Sequence, residues 1–314
     1  MDESAYDFLA SLSLQNVRLI TLDELEKYDS QLKEVKSERS LLEYYFTCKP
    51  SLSLYVLEKS SSADQVTYVD ADVFFFSSPE IIYEKMGGKS VAITPHRFEN
   101  SKKHLELYGK FNAGWLLFKR DTQGLSCLHW WRERCLEWCS DQPEPDRFAD
   151  QKYIDSFSSL FEGVWIVDSL GVNLAPWNIA GKSISCRRNK LYVDDERVVF
   201  YHFHSLRSVT DRVFNLGCKD YTSRLDNEVR HYIYQPYLAR LLRQRKDLFL
   251  ADSPLARYGQ KINTDEANSR GNLVDRYIKK ISFMITIGKK LKKGEYMVAR
   301  QGVNSACWKS KAER

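Results

Sequence analysis

Residues 65–76 read Gln-Val-Thr-Tyr-Val-Asp-Ala-Asp-Val-Phe-Phe-Phe. This run of β-branched and aromatic residues predicts a strand built for burial, broken only by Asp70 and Asp72. If the chain stays extended there, a period of two puts both carboxylates on one side. Carboxylates next to so much apolar surface are costly unless a cation compensates them. In open α/β sheets, ligand sites lie beyond the carboxyl ends of strands, where these two fall. The competing reading is a pair of solvated turn aspartates, because Asp-x-Asp on its own is common by chance.

The rest of the chain supports an α/β architecture with this strand inside it. Met1–Leu14 reads as the end of a helix, Val17–Ile20 as a short strand and Leu22–Tyr28 as a helical turn or two. Ser40–Leu57 is apolar at helical spacing and is expected to be interrupted at Pro50. Ser78-Pro79-Glu80 predicts a helix start, with Ser as cap and Pro at the first helical position. Ser90–Thr94 and Gly114–Phe118 read as strands, and Asp121 as the cap of a helix from Thr122 to about Cys139. Phe148–Phe157 reads as a short helix. Arg187–Phe203 reads as a hairpin that turns at Asp194-Asp195. Alternating strands and helices up to about residue 185, with an added hairpin, give α/β as the fold class. Beyond Arg207 the chain becomes helical and charged.

The formal net charge of +5 hints at a nucleic-acid or membrane partner, but its distribution changes that reading. Residues 276–300 carry Arg276, Lys279, Lys280, Lys289, Lys290, Lys292, Lys293 and Arg300 against Glu295 alone. Residues 1–275 are mildly acidic, which argues against a nucleic-acid-binding body. In the tail, Val274, Tyr277, Ile278, Ile281, Met284 and Ile285 recur at helical spacing among the lysines. Such a basic amphipathic helix suits a membrane surface, or equally a helix packed on the body with a solvated basic end. No long apolar run predicts a membrane span, and the first residues do not resemble a secretory signal. The seven cysteines are an odd number, which fits free thiols in a reducing cytosol. Cys127, Cys135 and Cys139 lie on an apolar helix without a Cys-x-x-Cys pair, so buried thiols are expected there rather than zinc.

Three further segments carry chemistry. In Phe200-Tyr201-His202-Phe203-His204, the two histidines fall on one face of a strand and the aromatics on the other. Two carboxylates with an imidazole suit Mn2+ somewhat better than Mg2+. Asp150 and Gln151 follow a Pro-containing loop, and on spacing alone helix capping by Asp150 is the favoured reading. Asn112-Ala113-Gly114 is a small-residue turn that lets something approach the backbone closely, or an ordinary turn.

Together and in this order, these segments resemble a nucleotide-diphospho-sugar transferase, a glycosyltransferase of the GT-A fold. The resemblance runs from about residue 1 to 240. It rests on Tyr68-Val69-Asp70-Ala71-Asp72, Phe111-Asn112-Ala113-Gly114-Trp115, Phe148-Ala149-Asp150-Gln151, Asn173-Leu174-Ala175-Pro176-Trp177-Asn178 and Tyr201-His202-Phe203-His204-Ser205-Leu206-Arg207. Related sequences include bacterial proteins associated with surface polysaccharide synthesis and, more distantly, glycogenin-like retaining transferases.

The resemblance implies a GT-A-like mixed sheet flanked by helices, with a C-terminal β-hairpin and a helical basic tail. It implies a transferase domain over residues 1–207 and a helical extension over 208–314. Asp70 and Asp72 would hold Mn2+ (or Mg2+) on the sugar-nucleotide diphosphate, with His202 and then His204 as further ligands. Asn112 and Gly114 would line the donor sugar, Asp150 and Gln151 would lie near the anomeric carbon, and Arg39 would sit by the donor. Trp177 and Asn178 would shape the acceptor side, and Arg207 would add positive charge on the phosphates.

The implied partners are a nucleotide-diphosphate sugar and a glycan or lipid-linked acceptor, with no nucleic acid. The implied location is the cytoplasm, with peripheral contact at the inner face of the membrane through the tail. Family members begin with a strand, a helix and a second strand ahead of the segment matching Ser4–Ile20. Met1 starts after that unit, so an exposed sheet edge and weak activity are expected. The alternative is a truncated, non-catalytic relic that binds sugar nucleotides or glycans. A metal phosphohydrolase ranks lower, because its class usually needs Thr two residues after the second Asp, where Phe74 stands.

Overall fold

The computed structural model describes residues 3–221, 225–250 and 284–300. The helices are α1 (Glu3–Ser11), α2 (Leu22–Tyr28), α3 (Ser30–Val35), α4 (Leu41–Lys59), α5 (Glu80–Met86), α6 (Thr122–Glu137), α7 (Phe157–Leu160), α8 (Asn227–Val229) and α9 (Gln235–Leu250). The strands are β1 (Gln65–Val69), β2 (Val73–Phe75), β3 (Val91–Pro95), β4 (Phe111–Lys119), β5 (Val164–Ile166), β6 (Ile184–Arg187), β7 (Lys190–Val193), β8 (Glu196–Arg197), β9 (Phe200–His202), β10 (Arg207–Ser208), β11 (Val213–Asn215) and β12 (Tyr296–Val298). The chain forms two compact units, one of residues 22–179 with 195–202, the other of residues 1–21, 180–194 and 203–314.

The larger unit is a central mixed sheet flanked by helices, in the order β1-β4-β3-β5. β4 runs antiparallel to both β1 and β3, and β5 runs parallel to β3. The sequence of β4 explains its central place. Alternate residues serve opposite faces of a sheet, so a strand apolar at nearly every position is covered on both. Leu116 and Phe118, with Val91 and Ile93 of β3, pack against Leu54 and Leu57 of α4 and Leu128 and Trp131 of α6. Trp115 and Leu117, with Ala92, pack on the other face against Ile82 and Met86 of α5 and against Val199 and Phe200. β1, read from its sequence as a buried strand, is only half-buried. It stands at the edge of the sheet and, among the described residues, pairs only with β4.

Between Ile93 and Thr94 the pairing with β4 jumps, so that Ile93 faces Leu116 while Thr94 faces Asn112. The irregularity falls on Asn112-Ala113-Gly114. A bulge re-aims side chains that a regular ladder would hold in the pleat.

Helix α4 begins with a capping box: Ser40 Oγ accepts from Glu43 N–H, and Glu43 Oε2 accepts from Ser40 N–H at 2.9 Å. The interruption expected at Pro50 does not occur, and α4 runs through it. Pro50, Ser51, Leu54 and Leu57 are buried in the face α4 turns to the core, and tertiary packing outweighs the lost backbone hydrogen bond. As expected, Asp121 caps α6 by accepting from Gly124 N–H at 2.8 Å. Ser78 Oγ accepts from Glu80 N–H at 3.3 Å at the start of α5.

Arg132 of α6 ties the helical layer together. Its Nε and Nη2 donate to the buried Asp29 carboxylate at 2.6 and 2.5 Å, and Ser51 Oγ of α4 donates to the same group at 2.7 Å. Burial alone would push the Asp29 carboxyl up. The donors from Arg132 and Ser51 outweigh that and hold it below its usual value. A carboxyl depressed in the folded state stabilises above its unfolded value, about 3.9, and loses that contribution as pH falls through the folded value. Asp29→Asn is therefore expected to be less stable than wild type at pH 7, with the gap narrowing below about pH 4. Thermal unfolding of both proteins across that range is the measurement.

In the smaller unit, β6 and β7 form an antiparallel hairpin. It turns at Arg188-Asn189, both with positive φ, and the chain turns again at residues 194–195 after β7, where the sequence pattern predicted a turn. Residues 17–20 form no strand. β10, β11 and β12 make an antiparallel sheet. Phe214, Leu238, Leu242 and Ala299 form the apolar cluster beneath it. Cys48, Cys127, Cys135, Cys139 and Cys218 are free and buried, as expected, but Cys186 is disulfide-bonded, against the expectation of free thiols throughout.

Residues 284–293 are helical, with Met284 and Ile285 exposed and Ile287 buried. Val274, Tyr277, Ile278, Ile281, Lys279 and Lys280 of the expected amphipathic helix lie outside the described residues. Among the described residues, no helix is long and apolar enough to cross a membrane.

Candidate functional site

The two aspartates after β1 do not stay in one extended line. The chain turns at Ala71-Asp72 before β2, with Val73 N–H donating to Asp70 C=O at 3.2 Å. The turn sends the two carboxylates to different partners. Asp70 N–H donates to Gly114 C=O at 2.9 Å, which ties the turn to the bulge in β4. Asp70 Oδ1 accepts from Tyr68 Oη at 2.7 Å and lies 3.2 Å from Lys49 Nζ.

Lys49 is the residue that the sequence analysis missed. It projects from α4, with its side chain 11% exposed, between Asp70 and Asp150, and its Nζ lies 3.2 Å from Asp150 Oδ2 as well. The ammonium sits over the rings of Tyr68 and Phe46, 5.0 and 5.4 Å from their centroids. Burial pulls its pKa down, but the charges of Asp150 and Asp70 outweigh this and hold it above the usual value. Asp150 is 2% exposed. Burial pushes its carboxyl up, Lys49 opposes this, and Asp70 adds to it. Lys49 Nζ and Asp150 Oδ2 form a buried ion pair.

Asp150 therefore serves a buried lysine and not the helical cap that spacing favoured. Its backbone is fixed by Trp131 Nε1, which donates to its carbonyl at 2.8 Å. Ala149, just before it, adopts a φ of 46°. The one signal for Lys49 in the sequence is a lysine inside the otherwise uncharged helical stretch Phe46–Leu57.

A second cluster adjoins the first. β9 pairs antiparallel with β2, setting His202 opposite Val73. His202 Nε2 then lies 3.0 Å from Asp72 Oδ1, with the imidazole 4% and the carboxylate 43% exposed. Both belong to a group of metal-capable side chains whose ligand atoms lie within 4.8 Å of one another. Behind the imidazole, Nδ1 lies 3.1 Å from Asn112 Oδ1. Asn112 Nδ2 donates to Gln151 Oε1 at 3.2 Å. Gln151 also accepts from Ala113 N–H at 3.1 Å and donates to Tyr108 C=O at 2.9 Å. Trp177 meets His202 edge-on, with ring centroids 5.2 Å apart. Asn178 Nδ2 donates to the carbonyls of His96 and Asn173 at 2.8 and 3.0 Å.

The larger unit thus brings together Asp70, Asp72, Asn112, Gly114, Asp150, Gln151, Trp177, Asn178 and His202. Arg39 is directed elsewhere: it donates to Thr47 Oγ1 and to the carbonyls of Cys135 and Leu136 at the end of α6. His204 follows His202 by two residues, past the end of β9 and within the smaller unit, where its ring meets Tyr221 edge-on. Arg207 is exposed in β10.

A half-exposed carboxylate beside a buried imidazole is a mixed oxygen and nitrogen donor set. It suits a divalent metal ion.

Comparison with known proteins gives two relatives. The chain is 32% identical over 249 residues to the uncharacterized protein YfnD of Bacillus subtilis (strain 168), covering 77% of this chain and 78% of that protein. It is 32% identical over 256 residues to the uncharacterized protein YfnF of the same organism, covering 79% of this chain and 83% of that protein. No protein-family model matches. Two solved structures align at 19% identity. One is an active-site mutant of LgtC, at TM-score 0.30, covering 48% of this chain and 57% of that one. The other is the galactosyltransferase LgtC with donor and acceptor sugar analogs, at TM-score 0.28, covering 45% of this chain and 49% of that one.

Proposed function

The chain belongs to the family of the Bacillus subtilis proteins YfnD and YfnF, and we propose that it is a metal-dependent glycosyltransferase of the GT-A type. The donor would be a nucleotide-diphosphate sugar, and the acceptor a glycan or lipid-linked glycan of the bacterial surface. The observation that carries this reading is the convergence of Asp72, His202, Asn112 and Gln151 in one hydrogen-bonded chain beside the Asp70–Lys49–Asp150 ion cluster.

In this reading Asp72 and His202 would hold Mn2+ or Mg2+, with Asp70 as a second carboxylate. The ion would offset the charge that builds on the departing diphosphate. The protein's own residues do the rest. Glycosyl transfer develops positive charge at the anomeric carbon. Asp150, paired with Lys49 in its buried position, is the carboxylate that would stabilise that charge. Gln151, fixed at both ends of its amide, lines the same position. Trp177 and Asn178 would form the acceptor side. Arg39 holds the end of α6 through the carbonyls of Cys135 and Leu136. Ile285, Lys289 and Lys292 fall on one stripe of the helix at 284–293, opposite the buried Ile287. That stripe suits an anionic membrane surface carrying a lipid-linked acceptor.

The test is a thermal-shift panel of nucleotide sugars with Mn2+, followed by donor hydrolysis with the donor that binds. Asp72→Ala is expected to lower kcat/KM by about 100-fold or more, because the ion is worth several kcal/mol of charge stabilisation. Turnover unaffected by chelation and by Asp72→Ala would reject the metal role. Donor binding without any turnover would favour the non-catalytic relic.

A further inference from the structure

Asn112 is buried, and its amide is used inside the protein. Oδ1 accepts from Gly114 N–H at 3.0 Å and lies 3.1 Å from His202 Nδ1. Nδ2 donates to Gln151 Oε1 at 3.2 Å and lies 3.3 Å from His96 Nε2. The direction of this amide is forced. A backbone N–H can only donate, so the Asn112 atom facing Gly114 is the oxygen. Gln151 is pinned in the same way. Its Oε1 faces Ala113 N–H, and its Nε2 faces the Tyr108 carbonyl, which can only accept. Two backbone N–H groups and one carbonyl thus fix both side-chain amides.

The consequence falls on His202. An amide oxygen cannot donate, so the ring nitrogen opposite Asn112 Oδ1 must carry the proton. The other nitrogen, Nε2, lies 3.0 Å from Asp72 Oδ1, which also only accepts, so a cation bound there takes the place of a proton on Nε2 while Nδ1 keeps its own. Gly114 completes the arrangement by leaving room for the ring. A Cβ at that position would lie 2.5 Å from His202 Cε1 and 2.8 Å from Nδ1, inside any real contact distance.

We propose that Asn112 is a positioning residue that holds His202 with its proton on Nδ1 and so presents Nε2 as the metal-binding atom. Gly114 supplies the space that the ring occupies. The Asn-x-Gly segment of β4 then acts on the metal through a histidine. This rests on the metal reading above and adds the part it leaves open, namely which groups fix the ligand's tautomer. Partners of this kind typically contribute about 10–100-fold to metal affinity.

The test uses the full chain without metal, labelled with 15N in its histidines. A long-range 1H–15N spectrum at pH 8, with His202→Gln for assignment, reports which ring nitrogen is protonated. The expected result is a proton on His202 Nδ1 in wild type. Asn112→Leu, which removes the acceptor, should leave Nδ1 bare and the proton on Nε2 alone. Asn112→Asp, which keeps an acceptor in place, should restore it to Nδ1. Mn2+ titration followed by the electron paramagnetic resonance of free Mn2+ should show binding weakened about 10–100-fold in Asn112→Leu and largely recovered in Asn112→Asp.

A bare Nδ1 in wild type overturns the proposal, and this arm needs no variant to fold. An unchanged tautomer in Asn112→Leu overturns it too, as does equal Mn2+ affinity in all three proteins. Failure of wild type to bind Mn2+ at all would sink the metal reading instead, and it is seen separately because the spectrum is recorded without metal.

Discussion

Lys49→Met is expected to destabilise the protein by about 3–5 kcal/mol at neutral pH, the usual cost of removing one member of a buried ion pair. The methionine keeps most of the volume of the lysine stem, so the loss is one of charge and not of packing. It leaves Asp150, 2% exposed, and Asp70, 26% exposed, facing each other without the ammonium that lies 3.2 Å from each. The pH dependence identifies the cause. Burial raises the Asp150 carboxyl, Lys49 opposes the rise, and Asp70 adds to it. Removing Lys49 sends it higher still. An acid whose folded value lies above its unfolded value destabilises as pH climbs from the unfolded value, and the penalty is absent below it. The deficit of Lys49→Met should therefore be largest near pH 8 and shrink towards pH 5. Asp150→Asn added to Lys49→Met should recover much of the loss, because it removes the orphaned charge as well. Chemical unfolding of the four proteins at both pH values closes the cycle. A deficit that does not vary with pH, or no rescue in the double variant, would mean that Lys49 acts through packing alone.

Lys49 also marks where sequence reading stopped. The aspartates after β1, the Asn-x-Gly turn, Asp150-Gln151 and His202 were legible because each sits in a short local pattern, and the larger unit brings them together. Lys49 takes its charge partners from a strand end and a loop far along the chain. Within α4 it looks like any lysine on a helix. The pairing of β2 with β9, which delivers His202 to Asp72, is likewise long-range, and the local pattern around it favoured a hairpin instead. Pro50 misled because local propensity ends a helix that core packing against α6 sustains. β1 misled because its residues suit a buried strand and its place at the sheet edge cannot be read from them. Formal charge misled least once divided: the basic excess belongs to the last forty residues, and the cluster around Asp70, Asp72 and Asp150 is acidic with one resident lysine.

Trp131 links the core to that cluster, and two substitutions separate its contributions. Its indole is fully buried, stacked on Phe118 with ring centroids 5.9 Å apart and edge-on to Phe157 at 6.2 Å. Trp131→Ala opens a cavity on the helical face of β4 and is expected to cost about 3–5 kcal/mol of stability. Trp131→Phe keeps most of the ring contact but removes the Nε1 donor, leaving the buried Asp150 carbonyl without its 2.8 Å partner. An orphaned buried acceptor costs about 1–3 kcal/mol. Because that acceptor belongs to the backbone of Asp150, the phenylalanine variant should disturb Asp150 and Gln151 more than its stability loss alone implies. Its signature is turnover reduced in a protein that still unfolds cooperatively well above the assay temperature, with Mn2+ affinity intact because the Asn112 oxygen that faces His202 is held by Gly114 N–H and not by Gln151. If Trp131→Phe keeps full turnover, the indole N–H belongs to the core alone. If it loses Mn2+ affinity as well, the two clusters of the site are held as one unit and not side by side.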